Sequence, residues 1–153
     1  MDPITAIGFA ANILSFIDYS AKVISASADI YGSASCDTQD SRNSDVIARE
    51  MSRFAAKLQP PSNIQLAGEE KALCNLAMEC EALAKRILDL LDKLKPKYQK
   101  SKGSSLVAGI KTKFYEGERR RLEEQLSNCR DQLDLQLNHL TRWVLLYFKP
   151  AKR

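Results

Sequence analysis

The chain is poor in the residues that carry chemistry. It has one histidine (His139), one tryptophan (Trp143) and four cysteines (Cys36, Cys74, Cys80, Cys129), with no C-x-x-C pair among them. A single histidine and cysteines so spaced give too few ligands for a zinc site. The thiols are expected to be reduced and mostly buried, as in a cytosolic protein. Cys74 and Cys80, six apart, fall on different sides of a helix. No G-x-x-x-x-G-K-[ST] loop is present to cradle phosphates, and no G-x-S-x-G elbow to present a nucleophile. The Glu-x-x-His pairs of a di-iron bundle are missing. His139 lacks the neighbouring nucleophile and orienting acid that a general base needs. Glu69-Glu70 and Glu123-Glu124 read as helix-start or solvated-face charges rather than metal ligands. The expectation is no catalytic residue, no cofactor and no metal: the chain is not read as an enzyme.

Glycine (6) and proline (5) are also scarce in these 153 residues. The prolines stand at 3, 60, 61, 96 and 150, which punctuates a helical chain, and no stretch alternates as a strand would. No basic segment precedes the N-terminal apolar run and no small-residue cleavage site follows it, so it is not read as a signal peptide. Residue 2 is Asp rather than Gly, which excludes myristoylation. The longest apolar run, Ile4 to Ile17, falls short of the ~20 residues a bilayer span needs, so the chain is expected to be made soluble.

Apolar periodicity is what the chain has in quantity. Asp2 is a good N-cap and Pro3 suits the first helical position. From there Ile7, Ala10, Leu14, Ile17, Ala21, Ile24, Ala28 and Tyr31 recur three and four apart, with Phe9, Ile13, Phe16, Val23 and Ile30 beside them. Only Ser15, Asp18, Lys22, Ser25 and Asp29 form a polar stripe. So wide an apolar arc predicts a helix nearly surrounded, by other helices or by lipid. The residues from Gly32 to Ser44 read as a loop. A second helix, capped by Ser44, carries Ile47, Met51, Phe54 and Leu58 and stops at Pro60-Pro61; Ser62 to Gly68 connects. The third helix, 69–95, places Leu73, Leu76, Cys80, Leu83, Ile87, Leu90 and Leu94 on one line, broadened by Ala77, Ala84, Leu88 and Leu91, and Pro96 ends it. After a basic loop, a short helix carries Leu106, Val107, Ile110, Phe114 and Tyr115, weakened by Gly109 and Gly117. A last long helix from Glu118 carries Leu122, Leu126, Cys129, Leu133, Leu137, Leu140, Val144 and Tyr147, ending apolar all round at 143–148. The fold class is therefore all-α, a four- to five-helix bundle with a long apolar N-terminal helix. The bundle fills 1–148, and 149–153 is a basic tail or the start of a linker.

Charge is unevenly placed. Residues 1–92 hold 8 basic and 13 acidic side chains, and residues 93–153 hold 15 basic and 6 acidic. The basic half can pair internally or face an anionic partner. Lys93, Lys95, Lys97, Lys100 and Lys102, with Lys111, Lys113 and Arg119-Arg120-Arg121, make a solvated loop, an anionic-lipid contact or a nucleic-acid patch. Nucleic acid is the least favoured, because no reading motif is present and Tyr98 is the only aromatic in the loop. The first helix divides likewise. It is a core helix, or it is buried at rest and released to insert in a membrane as an oligomer. Gly8, Ala10, Ala11, Ser15, Ser20 and Ala21 permit close helix approach in lipid. Asp18 and Lys22 could pair or line a pore.

The opening stretch from Met1-Asp2-Pro3-Ile4-Thr5 to Tyr19-Ser20, with Ile30-Tyr31-Gly32-Ser33-Ala34-Ser35, resembles the N-terminal domains of fungal STAND proteins, the NLR-like receptors. The blocks from Glu69 to Lys95 and from Phe114 to Leu140, the latter with Arg130-Asp131-Gln132-Leu133, look like that family's second and third signatures. The HeLo-like group among them is similar to the four-helix executioner domain of mixed-lineage kinase-like proteins. The resemblance implies an effector of regulated cell death and heterokaryon incompatibility, a branch of innate immunity. It also implies homo-oligomers on activation, a nucleotide-binding module in the same chain, and permeabilisation of a membrane with anionic lipids. A cytoplasmic protein that relocates to the plasma membrane follows from it. Ile4, Ile7, Phe9, Ile13, Phe16 and Ile17 are the expected insertion residues, helped by Lys93, Lys95, Lys97, Lys100 and Lys102 at anionic lipid. The alternative is a protein–protein adaptor that docks or oligomerises without touching membrane.

Overall fold

The three-and-four spacing resolves into four α-helices in a computed structural model, which describes residues 3–32, 38–60, 68–94 and 104–147. They are α1 (Pro3–Gly32), α2 (Thr38–Ala56), α3 (Gly68–Leu94) and α4 (Ser104–Tyr147), and no strand occurs among the described residues. The protein is an all-α bundle, with four helices among the described residues and a long apolar helix at its N-terminus. The expected N-cap Asp2, the end of the 69–95 helix at Lys95-Pro96, and the 149–153 tail lie outside the described residues.

α1 and α3 form the inner pair. Each packs on the other and on both remaining helices, whereas α2 and α4 do not meet among the described residues. Ser20 of α1 lies against Met51 of α2, and only residues 33–37 separate the two helices. So short a link spans no more than about 20 Å, so α2 must fold back antiparallel to α1. Glu79 and Arg86 of α3 meet Cys129 and Gln125 of α4, which makes that pair antiparallel too.

The core is the sum of the predicted stripes. α3 buries Leu73, Leu76, Ala77, Cys80, Leu83, Ala84, Ile87, Leu90 and Leu91, and α4 buries Tyr115, Leu122, Leu126, Cys129, Leu133 and Leu140. Leu88 and Leu137 are half-buried against them. On α1 the buried line is Ala6, Phe9, Ala10, Ile13, Phe16, Ile17, Ser20, Val23 and Ile24. This merges the two predicted lines and drops Ile7 and Ala21, which face solvent. The α1–α2 seam is closed by Tyr19 on Phe54, their ring centroids 4.9 Å apart and tilted 30°. Lys57 places its Nζ 5.9 Å from the same Phe54 ring. Ser20 is buried there, and its hydroxyl donates to the Met51 sulfur at 3.7 Å. A small residue allows the close approach, and a weak sulfur acceptor spares the hydroxyl from burial without a partner.

Three expectations about the elements need correction. α2 begins at Thr38, six residues before the predicted cap Ser44. Its polar first turns hid it, because the apolar period begins only at Ile47. α2 also closes ahead of its prolines. The N–H groups of Lys57 and Leu58 bond back to Phe54 and Ala55 carbonyls at 3.2 and 3.1 Å, a tightened last turn that folds Leu58 into the core. Finally, the predicted short helix and the last helix are one. α4 runs 44 residues without a break at Gly109 or Gly117. A glycine in a helix costs only about 1 kcal/mol. Against that, Tyr115 and Leu122 are buried on either side of Gly117, and Glu118 pairs with Arg86. The apolar end of α4 is only partly covered: Trp143 and Val144 are half-buried, while Leu145 and Leu146 are 67% and 72% exposed.

Candidate functional site

α1 shows two faces of opposite character. Phe9, Ile13, Phe16 and Ile17 point inward and are buried. Ile4 and Ile7, by contrast, are 68% and 40% exposed, and Gly8, Ala11, Ser15, Ala21 and Lys22 follow on the solvent side. The six predicted insertion residues are thus divided between core and surface. The helix is not nearly surrounded, as its wide apolar arc predicted. Small residues rather than large ones occupy most of its uncovered side, which is how a wide arc can stand in water.

The expectation that no segment is long enough to span a bilayer also changes. Over Ile4–Ala26, 23 residues, α1 is long and apolar enough to cross a membrane by length and composition, and 39% of that stretch is buried in the bundle. Ending the run at Ile17 had let Asp18 and Lys22 terminate it, although two charges do not offset the apolar residues on both sides. At 1.5 Å per residue the stretch is about 34 Å long, against a hydrocarbon thickness of about 30 Å. Asp18 does not depend on Lys22, because its carboxylate accepts from the Arg130 guanidinium of α4, both side chains half exposed.

Of the predicted lipid-contact lysines, Lys93 is exposed in the last turn of α3. Lys95, Lys97, Lys100 and Lys102 lie outside the described residues. Arg120 and Arg121 are exposed on α4, while Arg119 is half-buried and donates to Glu116 at 3.3 Å. His139 is exposed. No group of three or more His, Cys, Asp or Glu side chains is placed to hold a metal ion among the described residues.

A groove of about 300 Å³ runs between α3 and α4, lined by Glu79, Ala82, Leu83, Arg86, Gln125, Asn128, Cys129 and Gln132. Arg86 bridges it, donating to Glu118 at 2.7 Å and also to Gln125. At its floor the Cys129 thiol lies 4.0 Å from Glu79 Oε2. Hydrogen bonding with Cys129, with burial and the Glu79 charge, holds Cys80 far above the ordinary thiol range, and the same interaction draws Cys129 below it. Cys74, Cys80 and Cys129 are all free and buried, as the composition led us to expect; Cys36 lies outside the described residues. Sequence reasoning missed the pairing because neither cysteine's partner is on its own helix. Their shared place on the apolar stripes of α3 and α4 was the only available signal.

The fold defines a class, the all-α four-helix bundle, and no further identity is fixed by likeness: no protein-family model matches the chain, and no curated protein or solved structure matches it.

Proposed function

We propose that the chain is the N-terminal effector or signalling domain of a fungal NLR-like (STAND) immune receptor, inducing regulated cell death by self-association and membrane insertion of α1. The observation that carries this reading is α1 itself: its composition suits a bilayer span, yet one side of it already faces water, led by Ile4 and Ile7. Residues 93–102, with their five lysines, would add an anionic-lipid contact.

Energetics say when insertion occurs. Phe9, Ile13, Phe16, Ile17, Val23 and Ile24 leave the core if α1 leaves it. At roughly 1.5–3 kcal/mol per large apolar side chain this costs on the order of 10–18 kcal/mol in water, about the whole stability of a typical domain. Release into water is therefore unfavourable, and it becomes favourable only where acyl chains or other copies take up the same side chains. Asp18 must give up Arg130, and within a bilayer it needs Lys22, a neighbouring copy or a water-filled lumen instead. The outward Gly8, Ala11 and Ser15 allow the close helix contact that self-association in lipid uses.

A second reading, an adaptor that oligomerises without membrane activity, is favoured by the depth at which Phe9, Ile13, Phe16 and Ile17 are built into the core. Dye release from liposomes containing anionic lipid separates the two. Ile4→Glu and Ile7→Glu are the informative variants, because both positions are exposed and a charge there is expected to leave the bundle folded; Phe9→Glu or Ile13→Glu would bury a charge and unfold it. Leakage by the wild type that both folded variants lose supports insertion. No leakage at any concentration, oligomers included, transfers the assignment to the adaptor.

A further inference from the structure

The α3–α4 groove lies apart from α1 and does not rest on the membrane reading. The residues that line it recur at i, i+3, i+4 and i+7 on each helix, from Glu79 to Arg86 on α3 and from Gln125 to Gln132 on α4. Each set falls on one face of its helix, and antiparallel packing brings Glu79 to Cys129 and Arg86 to Gln125. The two ends of the groove differ in charge. Glu79 and Arg86 are seven residues apart, about 10 Å along the helix. At the Arg86 end the guanidinium donates to Glu118 at 2.7 Å and also to Gln125, so its charge is offset. At the Glu79 end the carboxylate makes no ion pair among the described residues, and its contact is the Cys129 thiol 4.0 Å away. Asn128 and Gln132 stand on either side of Cys129 in the chain, and their side-chain carboxamides have no hydrogen-bond partner among the described residues. This end thus combines one uncompensated negative charge with unused carboxamide acceptors, beside the apolar Ala82 and Leu83.

We propose that the Glu79 end of the α3–α4 groove receives an arginine side chain from a partner protein. A guanidinium presents its N–H donors in a planar fork, which matches the Glu79 carboxylate bidentately and leaves donors for the Asn128 and Gln132 carboxamide oxygens. Its aliphatic stem covers Ala82 and Leu83, as such stems cover apolar surface. Lysine fits less well, because its ammonium is a compact, strongly hydrated point charge without the fork. The occupant is a side chain rather than a whole ligand for two reasons. The groove volume, about 300 Å³, is at the lower limit for pockets that enclose a small molecule. Glu79, Asn128 and Gln132 are also exposed, so the site opens outward to a group carried on another surface.

The test titrates the whole folded, isotope-labelled chain with N-acetyl-L-arginine methylamide, which presents the side chain as a peptide does, and follows amide signals by NMR. Saturable shifts are expected at the side-chain amides of Asn128 and Gln132 and at the backbone around Glu79. The neutral isostere N-acetyl-L-citrulline methylamide is expected to produce none, and the lysine analogue to bind more weakly. Glu79→Gln, a change at an exposed position, is expected to bind the arginine probe at least about tenfold more weakly, as the loss of a charge-assisted pair requires. The proposal is overturned if the wild type shows no saturable shift at these signals, if the citrulline probe binds as tightly as the arginine probe, or if Glu79→Gln binds unchanged. Free L-arginine binding about tenfold tighter than the blocked residue would overturn the partner protein and give the groove to a small guanidino compound. The wild-type comparison of arginine with citrulline decides the matter even if the variant fails to fold.

Discussion

Phe16 and Ile4 lie on the same helix, twelve residues apart, and should respond oppositely to truncation. Phe16 has no exposed surface, and its ring is enclosed in the core shared by α1 and its neighbours; Ile4 is 68% exposed. Replacing Phe16 with alanine removes a ring and leaves a cavity, which costs about 3–5 kcal/mol. For a domain of this length, each kcal/mol moves the melting temperature by about 2–4 °C, so a fall of roughly 10 °C is expected. Ile4→Ala removes side chain that is mostly in water and is expected to change stability by less than about 0.5 kcal/mol. Urea unfolding followed by far-UV circular dichroism measures both, with equal slopes required for the comparison. Equal costs at the two positions, or a Phe16→Ala cost under about 1 kcal/mol, would refute the assigned inward face of α1 and with it the energetic barrier to its release.

Further outcomes concern the other helices. Gly117→Ala is expected to stabilise by about 0.5–1 kcal/mol, because an added Cβ meets no atom within 4 Å and the glycine sits inside an unbroken helix; chemical denaturation reads it, and destabilisation would place a real break in α4 there. Stability should fall in alkali. Cys80 keeps its proton in the fold well above the ordinary thiol value of 9.0, through hydrogen bonding with Cys129 and burial, and burial also raises Cys74, whereas the unfolded chain gives both protons up at the ordinary value. Folded-state pKa values raised in this way give stability that is complete below the unfolded value and is lost as pH rises past it. The limiting slope is about 1.4 kcal/mol per pH unit for each such thiol. Cys129, drawn downward, opposes part of this. Urea midpoints measured across that range check the sign, and a midpoint that rises with pH contradicts it.

Much of the bundle was legible because burial follows period. Every residue of the predicted α3 line from Leu73 to Leu90 is buried, and on α4 Leu122, Leu126, Cys129, Leu133 and Leu140 are as well. Local patterns mislead where tertiary contacts outweigh them. Gly109 and Gly117 suggested a break, yet contacts on both sides of Gly117 hold α4 continuous. The polar start of α2 carries no apolar period to mark it. On α1 the arc is so wide that composition alone could not say which side faces inward, and only packing against three helices separates Ile4 and Ile7 from Phe9 and Ile13. The groups that meet across helices, Asp18 with Arg130, Arg86 with Glu118, and Glu79 with Cys129, are 112, 32 and 50 residues apart in the chain. No periodic signal joins positions so distant, so the α3–α4 groove could not be read beforehand.

The central claim is that α1 must leave the bundle to act on a membrane, and tying α1 down tests it most directly. Ser20 and Met51 already touch at 3.7 Å across the α1–α2 seam. A Ser20→Cys/Met51→Cys chain is therefore the one to tie across that seam, with intact mass confirming that the disulfide has formed on oxidation. The measurement is dye release from anionic liposomes by this chain, oxidised and then reduced, with wild type exposed to the same oxidant as the control. The account predicts that the oxidised double variant retains the dye, that leakage returns on reduction, and that oxidised wild type still leaks. Leakage from the tied chain equal to that of wild type would contradict it.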